Sequence, residues 1–318
     1  MSGIFLKCKI VKKYLYLSRY SFCYIMIKKI IPHKFVLFYR SLKPLYRKMT
    51  RKNMQCKPLI PILHIHLVDH CNLNCCGCDN FSPLSPEVFA DVDVFERDCA
   101  RISELSNGRV QEVQLLGGEP LLHPKVIDFM RITRNYFPEV TIKMISNGVL
   151  LLAQKEEFWE ACRQYNIEIT VTKYPVKINY EAIKQLVQKQ GVKFNFYGST
   201  AEVGKNMQCM PLDLSGKQNA RDSFLRCSSA NRCISLDNGK IYTCTTIPYI
   251  KYFNAHFGQH LPVTEDDYKD IYKVKSMDEI LNFLCRPMPF CRFCNQKGMI
   301  WDMGFGVSKK EITEWIGK

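Results

Sequence analysis

Acidic residues are absent from the first 58 positions of this 318-residue chain, which hold 15 lysines and arginines. The other 260 residues carry 30 basic and 30 acidic side chains, so the formal net charge of +15 belongs entirely to the N-terminal segment. The basic pI therefore gives no reason to expect nucleic acid on the body of the protein, and we do not expect a nucleic acid partner.

Long apolar runs are also missing near the start, where the longest uncharged stretch, Tyr20–Ile27, has eight residues. A membrane-spanning helix needs about 20 residues, and no apolar core of a secretory signal is present. Bases alternate instead with bulky side chains. This pattern predicts a basic amphipathic arm over residues 1–56, with one or two helices divided near Pro32. The arm either packs on the body, or lies on an anionic membrane surface or an acidic partner; translation from Met49 or Met54 would remove it.

Sixteen cysteines are many for this length, and they are clustered. Clustering without a secretory signal favours metal-bound thiolates in a cytoplasmic protein over disulfide pairs. Three of them, Cys71, Cys75 and Cys78, have C-x3-C-x2-C spacing, with Cys76 between them. Three thiolates do not complete a tetrahedral zinc site. They can hold a cubane iron–sulfur cluster in which one iron lacks a protein ligand.

Short apolar strands alternate with helical stretches after residue 58, which predicts a parallel sheet with crossover helices. Either a curled partial barrel or an open doubly wound sheet fits, and both place the site at the carboxyl ends of the strands. The predicted strands are 62–68, 110–116, 140–145, 167–172 and 192–197; the predicted helices are 91–106, 124–137, 151–165 and 180–189.

Two polar turns follow the second and third predicted strands, so they should lie beside the cysteine loop. Gly117 and Gly118 allow a close backbone approach or a positive φ. Glu119, fixed before Pro120, offers an acceptor suited to a ligand ammonium. In the next turn Ser146 and Asn147, which precede Gly148, offer donors and acceptors suited to a ribose or a carboxylate.

The cysteine triplet followed by these two turns resembles the radical S-adenosylmethionine (SAM) superfamily, over roughly Leu59 to Gly198. The resemblance implies a partial (β/α)6 TIM-like barrel and a [4Fe–4S] cluster on the three cysteines. It implies that SAM chelates the unique iron, that Gly117–Pro120 accept its amino group, and that a flavodoxin- or ferredoxin-type protein supplies the electron. Gly77 departs from the family, which usually has an aromatic residue there, although its backbone can still meet the adenine.

A second cysteine group follows in the C-terminal third: Cys227, Cys233, Cys244, Cys291 and Cys294. Between its members a hairpin is predicted to turn on Asn238-Gly239. Cys227, Gly239, Cys244 and the final C-x2-C pair resemble the SPASM/Twitch extension, which implies one auxiliary [4Fe–4S] cluster. Cys233 is a rival ligand, and a zinc ribbon would accept the same spacing.

These features together predict three segments: the arm at 1–56, a radical SAM core at 57–220 and an auxiliary-cluster extension at 221–318. The resemblance implies an enzyme, a radical SAM oxidoreductase or modifying enzyme, that takes a hydrogen from a peptide or carbohydrate-type substrate. The alternative is a non-catalytic iron–sulfur or zinc protein for electron transfer or interaction. His64 and His66 share one face of the first strand, and we expect them to be hydrogen-bonded core histidines.

Overall fold

The computed structural model describes residues 33–197 and 206–317. Most of the predicted arm lies outside these residues. The helices are α1 His33–Thr50, α2 Val92–Ser106, α3 Val126–Tyr136, α4 Glu156–Gln164, α5 Tyr180–Lys189, α6 Ala220–Arg226, α7 Thr246–Phe257, α8 Met277–Leu284 and α9 Thr313–Ile316. The strands are β1 Ile62–Val68, β2 Glu112–Gly117, β3 Thr141–Ser146, β4 Ile167–Val171, β5 Phe194–Phe196, β6 Asn206–Cys209, β7 Cys233–Asp237, β8 Lys240–Tyr242, β9 Lys269–Asp270 and β10 Ile300–Gly304.

One eight-stranded sheet organises the described chain, in the order β5-β4-β3-β2-β1-β7-β8-β9. Strands β1 to β5 and β7 run parallel to one another, whereas β8 pairs antiparallel with β7 and β9 pairs antiparallel with β8. The predicted α/β fold class with a parallel sheet is therefore confirmed. The sixth parallel strand lies beside β1 and comes from residues 233–237, so the sheet continues across the domain boundary predicted at residue 220.

The two faces of the parallel sheet differ in polarity. One face is apolar and buried among helix side chains such as Phe129 and Trp159, which are fully enclosed. The other carries a row of polar side chains in matching register across five adjacent strands: Ser235, His64, Gln114, Lys143 and Glu168. Partners in parallel register point to the same face of a sheet. A polar wall therefore lies below the carboxyl ends of the strands.

Local sequence explains where most elements begin. The Asp91 side chain accepts hydrogen bonds from the backbone N–H groups of Asp93 and Val94, so it caps α2 as its position predicts. The β7–β8 hairpin turns on Asn238 and Gly239, both with positive φ, as predicted. The helix predicted from residue 151 begins instead at Glu156, because residues 151–153 form a separate 3-10 turn.

Helix α1 attaches the end of the arm to the C-terminal third. It packs on α6, where the Arg47 guanidinium donates to the carbonyl of Arg226 at 3.2 Å. Buried Asn53 then donates to the carbonyls of Phe224 and Cys227 at 2.7 and 2.8 Å. Among the described helices none is long and apolar enough to span a membrane.

Candidate cofactor site

The cysteine loop leaves the carboxyl end of β1 and is shaped by two left-handed residues, Asn74 and Gly77. Its backbone is held by the C-terminal segment: Cys76 N–H donates to Gly306 O, and Ser308 N–H donates to Asn74 O, both at 2.8 Å. The Trp315 indole N–H donates to Cys78 O at 3.0 Å. The segment after β10 therefore fixes a loop that lies more than 220 positions earlier in the chain.

The two glycines of the second turn are required by the backbone of β1. A Cβ on Gly117 would lie 1.9 Å from the carbonyl oxygen of Val68, and one on Gly118 would lie 2.0 Å from that of His70. Gly117 also has φ +148°. We expected these glycines to admit a ligand, but the atoms that they meet belong to the exit of β1. They bring the start of the cysteine loop against the turn that carries Glu119.

Glu119 is completely buried and reaches across two strand ends. Its carboxylate accepts hydrogen bonds from Ser146 Oγ at 2.8 Å, the N–H of Asn147 at 2.8 Å and the N–H of Leu121 at 3.2 Å. Burial nevertheless raises the pKa of Glu119 to about 7, because the lost hydration outweighs these bonds. A cationic ligand at this carboxylate would restore its charge.

Asn147 connects the third strand end to the cysteine loop. Its side-chain amide donates to Asn72 Oδ1 at 2.7 Å and lies 3.7 Å from Cys71 Sγ, while its own oxygen accepts from Val149 N–H. Ser146, besides bonding Glu119, accepts from Gly148 N–H at 3.0 Å. The predicted residues Gly117 to Pro120, Ser146 and Asn147 thus meet at one edge, next to Cys71.

The three thiols of the triplet are electrostatic neighbours of one another in the interior. Burial raises the pKa of Cys71 to about 11, that of Cys75 to about 12 and that of Cys78 above its usual range, with neighbouring thiols adding to each of the first two. For Cys78, burial is the largest cause of the raised pKa. Without a cation these thiols stay protonated, whereas bound iron would make them thiolates.

Cys76 and Gly77 face away from the triplet. The pKa of the Cys76 thiol is raised to about 11 by burial and by a hydrogen bond with Glu314, on the C-terminal helix α9. A Cβ on Gly77 would lie 2.5 Å from Met303 Cε of β10. An aromatic side chain, usual in the family at this position, would displace the end of Met303 and would be strained by the φ of +62° at Gly77.

Tyr174 is a residue of this site that the sequence did not reveal. Burial raises its pKa well above the usual value, and Cys71, Cys75, Cys78 and Glu119 add to the effect as neighbours. Its backbone is anchored to the Tyr180 hydroxyl through bonds of 2.7 and 3.0 Å. Nothing in the local pattern marks it, because it lies in the irregular segment after β4.

Four cysteines of the C-terminal group converge from separate elements: Cys227, Cys244, Cys291 and Cys294. The pKa of the Cys294 thiol is raised well above its usual value by burial, then by these three neighbours, and burial raises the pKa of Cys244 to about 12. The Cys227 sulfur accepts N–H bonds from Ser229 and Ala230 at 3.4 and 3.3 Å. Backbone N–H groups aimed at sulfur are typical of iron–sulfur sites.

Cys233 stands apart from these four. It begins β7 in register with Ile62, and its surroundings include Arg232, Lys57 and Glu112 as well as Cys227. Its thiol therefore borders the polar face of the sheet. The structure favours the other four cysteines as one ligand group.

Asp79 lies between the two cysteine groups. It follows Cys78 directly and is an electrostatic neighbour of Cys227 and Cys294. Loss of hydration raises its pKa to about 6, although the residue keeps an exposed surface. The two groups are therefore close enough to share one neighbour.

The histidines on β1 behave differently from each other. His66 stacks on Tyr249 with ring centroids 3.8 Å apart and bonds Asp69 Oδ1 at 3.1 Å, as expected of a core histidine. His64 lies beside Gln114, but neither ring nitrogen has a well-formed hydrogen bond. Burial lowers the pKa of His64 to about 4, so its ring is neutral.

The donor sets fit the implied groups. All 14 described cysteines are free, and the triplet supplies three thiols beside a buried carboxylate. Cys71, Cys78, Cys227, Cys244 and Cys294 are all partly accessible. In the described part of the chain no three His, Cys, Asp or Glu side chains are arranged to hold a single metal ion.

Comparisons with known proteins identify this architecture. Residues 65–194 match the Radical SAM superfamily. A probable GTP 3′,8-cyclase of Pyrococcus abyssi is 28% identical over 130 residues, 40% of this chain and 41% of that protein. The GTP 3′,8-cyclase of Paenarthrobacter nicotinovorans is 33% identical over 92 residues, 27% and 25% of the two chains. This chain therefore spans well under half the length of either relative.

Solved structures were also found at lower identity. BtrN in complex with AdoMet and 2-DOIA is 15% identical with a TM-score of 0.46, over 74% of this chain and 93% of BtrN. The anSMEcpe protein with bound AdoMet is 19% identical with a TM-score of 0.35, over 43% and 44%. The radical SAM superfamily uses a [4Fe–4S] cluster and SAM. Residues 65–194 of this chain are a radical SAM domain.

Proposed function

We propose that this chain is an enzyme that cleaves SAM reductively and takes a hydrogen atom from a polar substrate. One observation carries the proposal: Glu119, which follows β2 and is buried and hydrogen-bonded to the end of β3, lies beside Cys71 of the three-cysteine loop. A [4Fe–4S] cluster held by Cys71, Cys75 and Cys78 would supply the electron for the reductive cleavage of SAM, on which the abstraction of the substrate hydrogen depends.

The protein's own residues would hold these groups in place. Cys71, Cys75 and Cys78 would bind the cluster, and Glu119 would accept a hydrogen bond from the amino group of SAM. Ser146 and the N–H of Asn147 keep the Glu119 carboxylate oriented. The Asn147 amide restrains the loop next to Cys71. Tyr174 and the segment after β10 cover the site and limit the access of water to it.

A polar substrate is supported by the polar face of the sheet. Gln114 lies three residues before the end of β2, or about 10 Å along the strand. Lys143 donates to Glu112 at 2.8 Å, and Asn195 donates to Glu168 at 2.7 Å. Their carboxylates and amides line the wall below the strand ends. A substrate of the peptide or carbohydrate type offers the hydrogen-bonding groups for such a wall.

An auxiliary [4Fe–4S] cluster is proposed on Cys227, Cys244, Cys291 and Cys294. Their convergence supports this set over one that includes Cys233. The zinc-ribbon alternative uses the same thiols, so iron and zinc analysis decides between them. The reductant is proposed to be a flavodoxin- or ferredoxin-type protein. The basic arm is proposed to attach the protein to an acidic partner or to an anionic membrane.

Anaerobic reconstitution with iron and sulfide, followed by dithionite and SAM, tests the proposed activity through the formation of 5′-deoxyadenosine. Cys75→Ser is expected to reduce formation to background, since the cluster loses one of three ligands. Cys76→Ser is the matched control from the same loop and should retain most activity, because its thiol faces Glu314. The non-catalytic alternative predicts no 5′-deoxyadenosine from the iron-loaded wild-type protein, and that result would overturn the proposal.

A further inference from the structure

We propose that the surface formed by α1, α6 and the Gln296–Gly298 turn docks an acidic electron-carrier protein, next to the C-terminal cysteine group. This inference rests on the proposed function, because it needs an auxiliary cluster on those cysteines. It adds the place where the reductant binds and the cysteine group that the reductant faces.

Two adjoining cavities form this surface. The first has a volume of about 390 Å³ and the second about 550 Å³, and they share Lys48, Arg221 and Leu225. Among their lining residues four are basic: Lys48, Arg51, Arg221 and Lys297. The one acidic lining residue, Asp222, is already paired with Lys48 and Arg226. The surface therefore carries a clear positive excess.

Apolar side chains accompany these bases. Leu45 is 44% exposed and Met49 is 76% exposed, and both line the second cavity. A protein–protein interface typically combines an apolar centre with a polar, charged rim. Positive charge on one partner also accelerates the encounter with a partner of negative charge. An acidic protein with an apolar patch is the partner that this surface fits.

The cysteines lie directly beneath this surface. Ser223, which lines the first cavity, donates its hydroxyl to the carbonyl of Cys294 at 2.8 Å. Cys227 follows the last residue of α6, and its N–H bonds the carbonyl of Ser223. A partner seated in the cavities is thus separated from two of the four thiols by a single helix.

An anionic membrane is the other class of surface that bases and apolar side chains attract. The described geometry favours a protein, because the bases line recesses and α6 lies at the floor between them. A lipid surface is flat and makes no use of a recess.

The proposed transfer moves one electron. The FMN hydroquinone anion of a flavodoxin would become the neutral semiquinone, and an iron–sulfur group on the thiols would take up the electron.

Binding of purified oxidised flavodoxin to the cluster-loaded protein tests the inference by calorimetry at low salt. The Arg221→Glu/Lys297→Glu double variant is expected to weaken binding about tenfold or more, and added salt should weaken wild-type binding similarly. Lys155→Glu/Lys189→Glu is the control, since both residues are exposed, directly before α4 and at the end of α5, and the charge change is equal. Lys297→Glu alone should give a smaller loss, which guards against a folding defect in the double variant.

Each outcome has a definite meaning. Equal flavodoxin affinity in the double variant and the control would overturn the docking surface. Binding of phosphatidylserine vesicles that the double variant loses, without any flavodoxin binding, would overturn it in favour of a membrane. With dithionite as reductant, the double variant should form 5′-deoxyadenosine as the wild type does. Failure of the wild type in that assay would refute the proposed function itself, whatever the binding result.

Discussion

The two cysteine groups of this protein are assembled in opposite ways. Cys71, Cys75 and Cys78 belong to one loop, and turns at Asn74 and Gly77 curl that loop within eight residues. Cys227, Cys244 and the Cys291/Cys294 pair come from the end of α6, the start of α7 and a separate 3-10 turn. The first group is defined by local spacing, and the second only by the tertiary fold.

This difference determines what each group tolerates. The loop group depends on close backbone packing against β1, β2 and the C-terminal segment. The dispersed group depends on long-range hydrogen bonds, such as those from Asn53 to the carbonyls of Phe224 and Cys227. Losing a cysteine ligand should therefore affect only the group to which that cysteine belongs, whereas distorting the glycine turn should affect the fold around the loop.

The largest expected effect is on the iron content, which distinguishes the two cysteine groups. Cys244→Ser should lower the iron content from about eight to about four atoms per chain, because a [4Fe–4S] cluster needs its ligands. Dithionite-driven 5′-deoxyadenosine should still form, since the loop cluster is retained. Iron analysis and the cleavage assay measure both. Cys233→Ser is the control and should keep its iron; if it loses as much as Cys244→Ser, the assignment of ligands is wrong.

Distorting the glycine turn is expected to have the next largest effect. Gly118→Ala places a Cβ about 2.0 Å from the His70 carbonyl oxygen, so β1 and the turn must separate. We expect a loss of more than about 2 kcal/mol in the free energy of unfolding, measured by denaturant titration. Gly304→Ala is the control, because no atom lies within 4 Å of its added Cβ and its φ is not positive. Similar losses in both variants would contradict the close-packing explanation.

Several elements of the fold were predictable from the sequence because their determinants are local. The bounds of β1 and α5, the Asp91 cap and the Asn238-Gly239 hairpin follow from periodicity and turn chemistry. The glycines at 117 and 118 were also recognised, although the structure gives them a packing role that the sequence does not reveal.

What could not be predicted depends on contacts between distant parts of the chain. The placement of β7 beside β1, the proximity of Tyr174 to the triplet and the position of Asp79 between the groups have no local signal. The same holds for the departure at Gly77, which the structure explains by its positive φ and by the nearby Met303. The choice among five C-terminal cysteines likewise required the tertiary structure.

The smallest expected effect tests the chemistry of the loop group through Glu119. Because burial raises its pKa to about 7, the carboxylate is ionised above that pH and protonated below it. Our proposal places the SAM amino group at this carboxylate, so SAM affinity should fall toward tenfold per pH unit as Glu119 becomes protonated below pH 7. Equilibrium binding to the cluster-loaded protein between pH 6 and 8.5 measures this. Glu119→Gln should bind more weakly at pH 8 without that slope. The same slope in the variant would assign the titration to another group. The C-terminal cysteines are not proposed to bind SAM, so Cys244→Ser should show the same pH dependence of SAM affinity as the wild type.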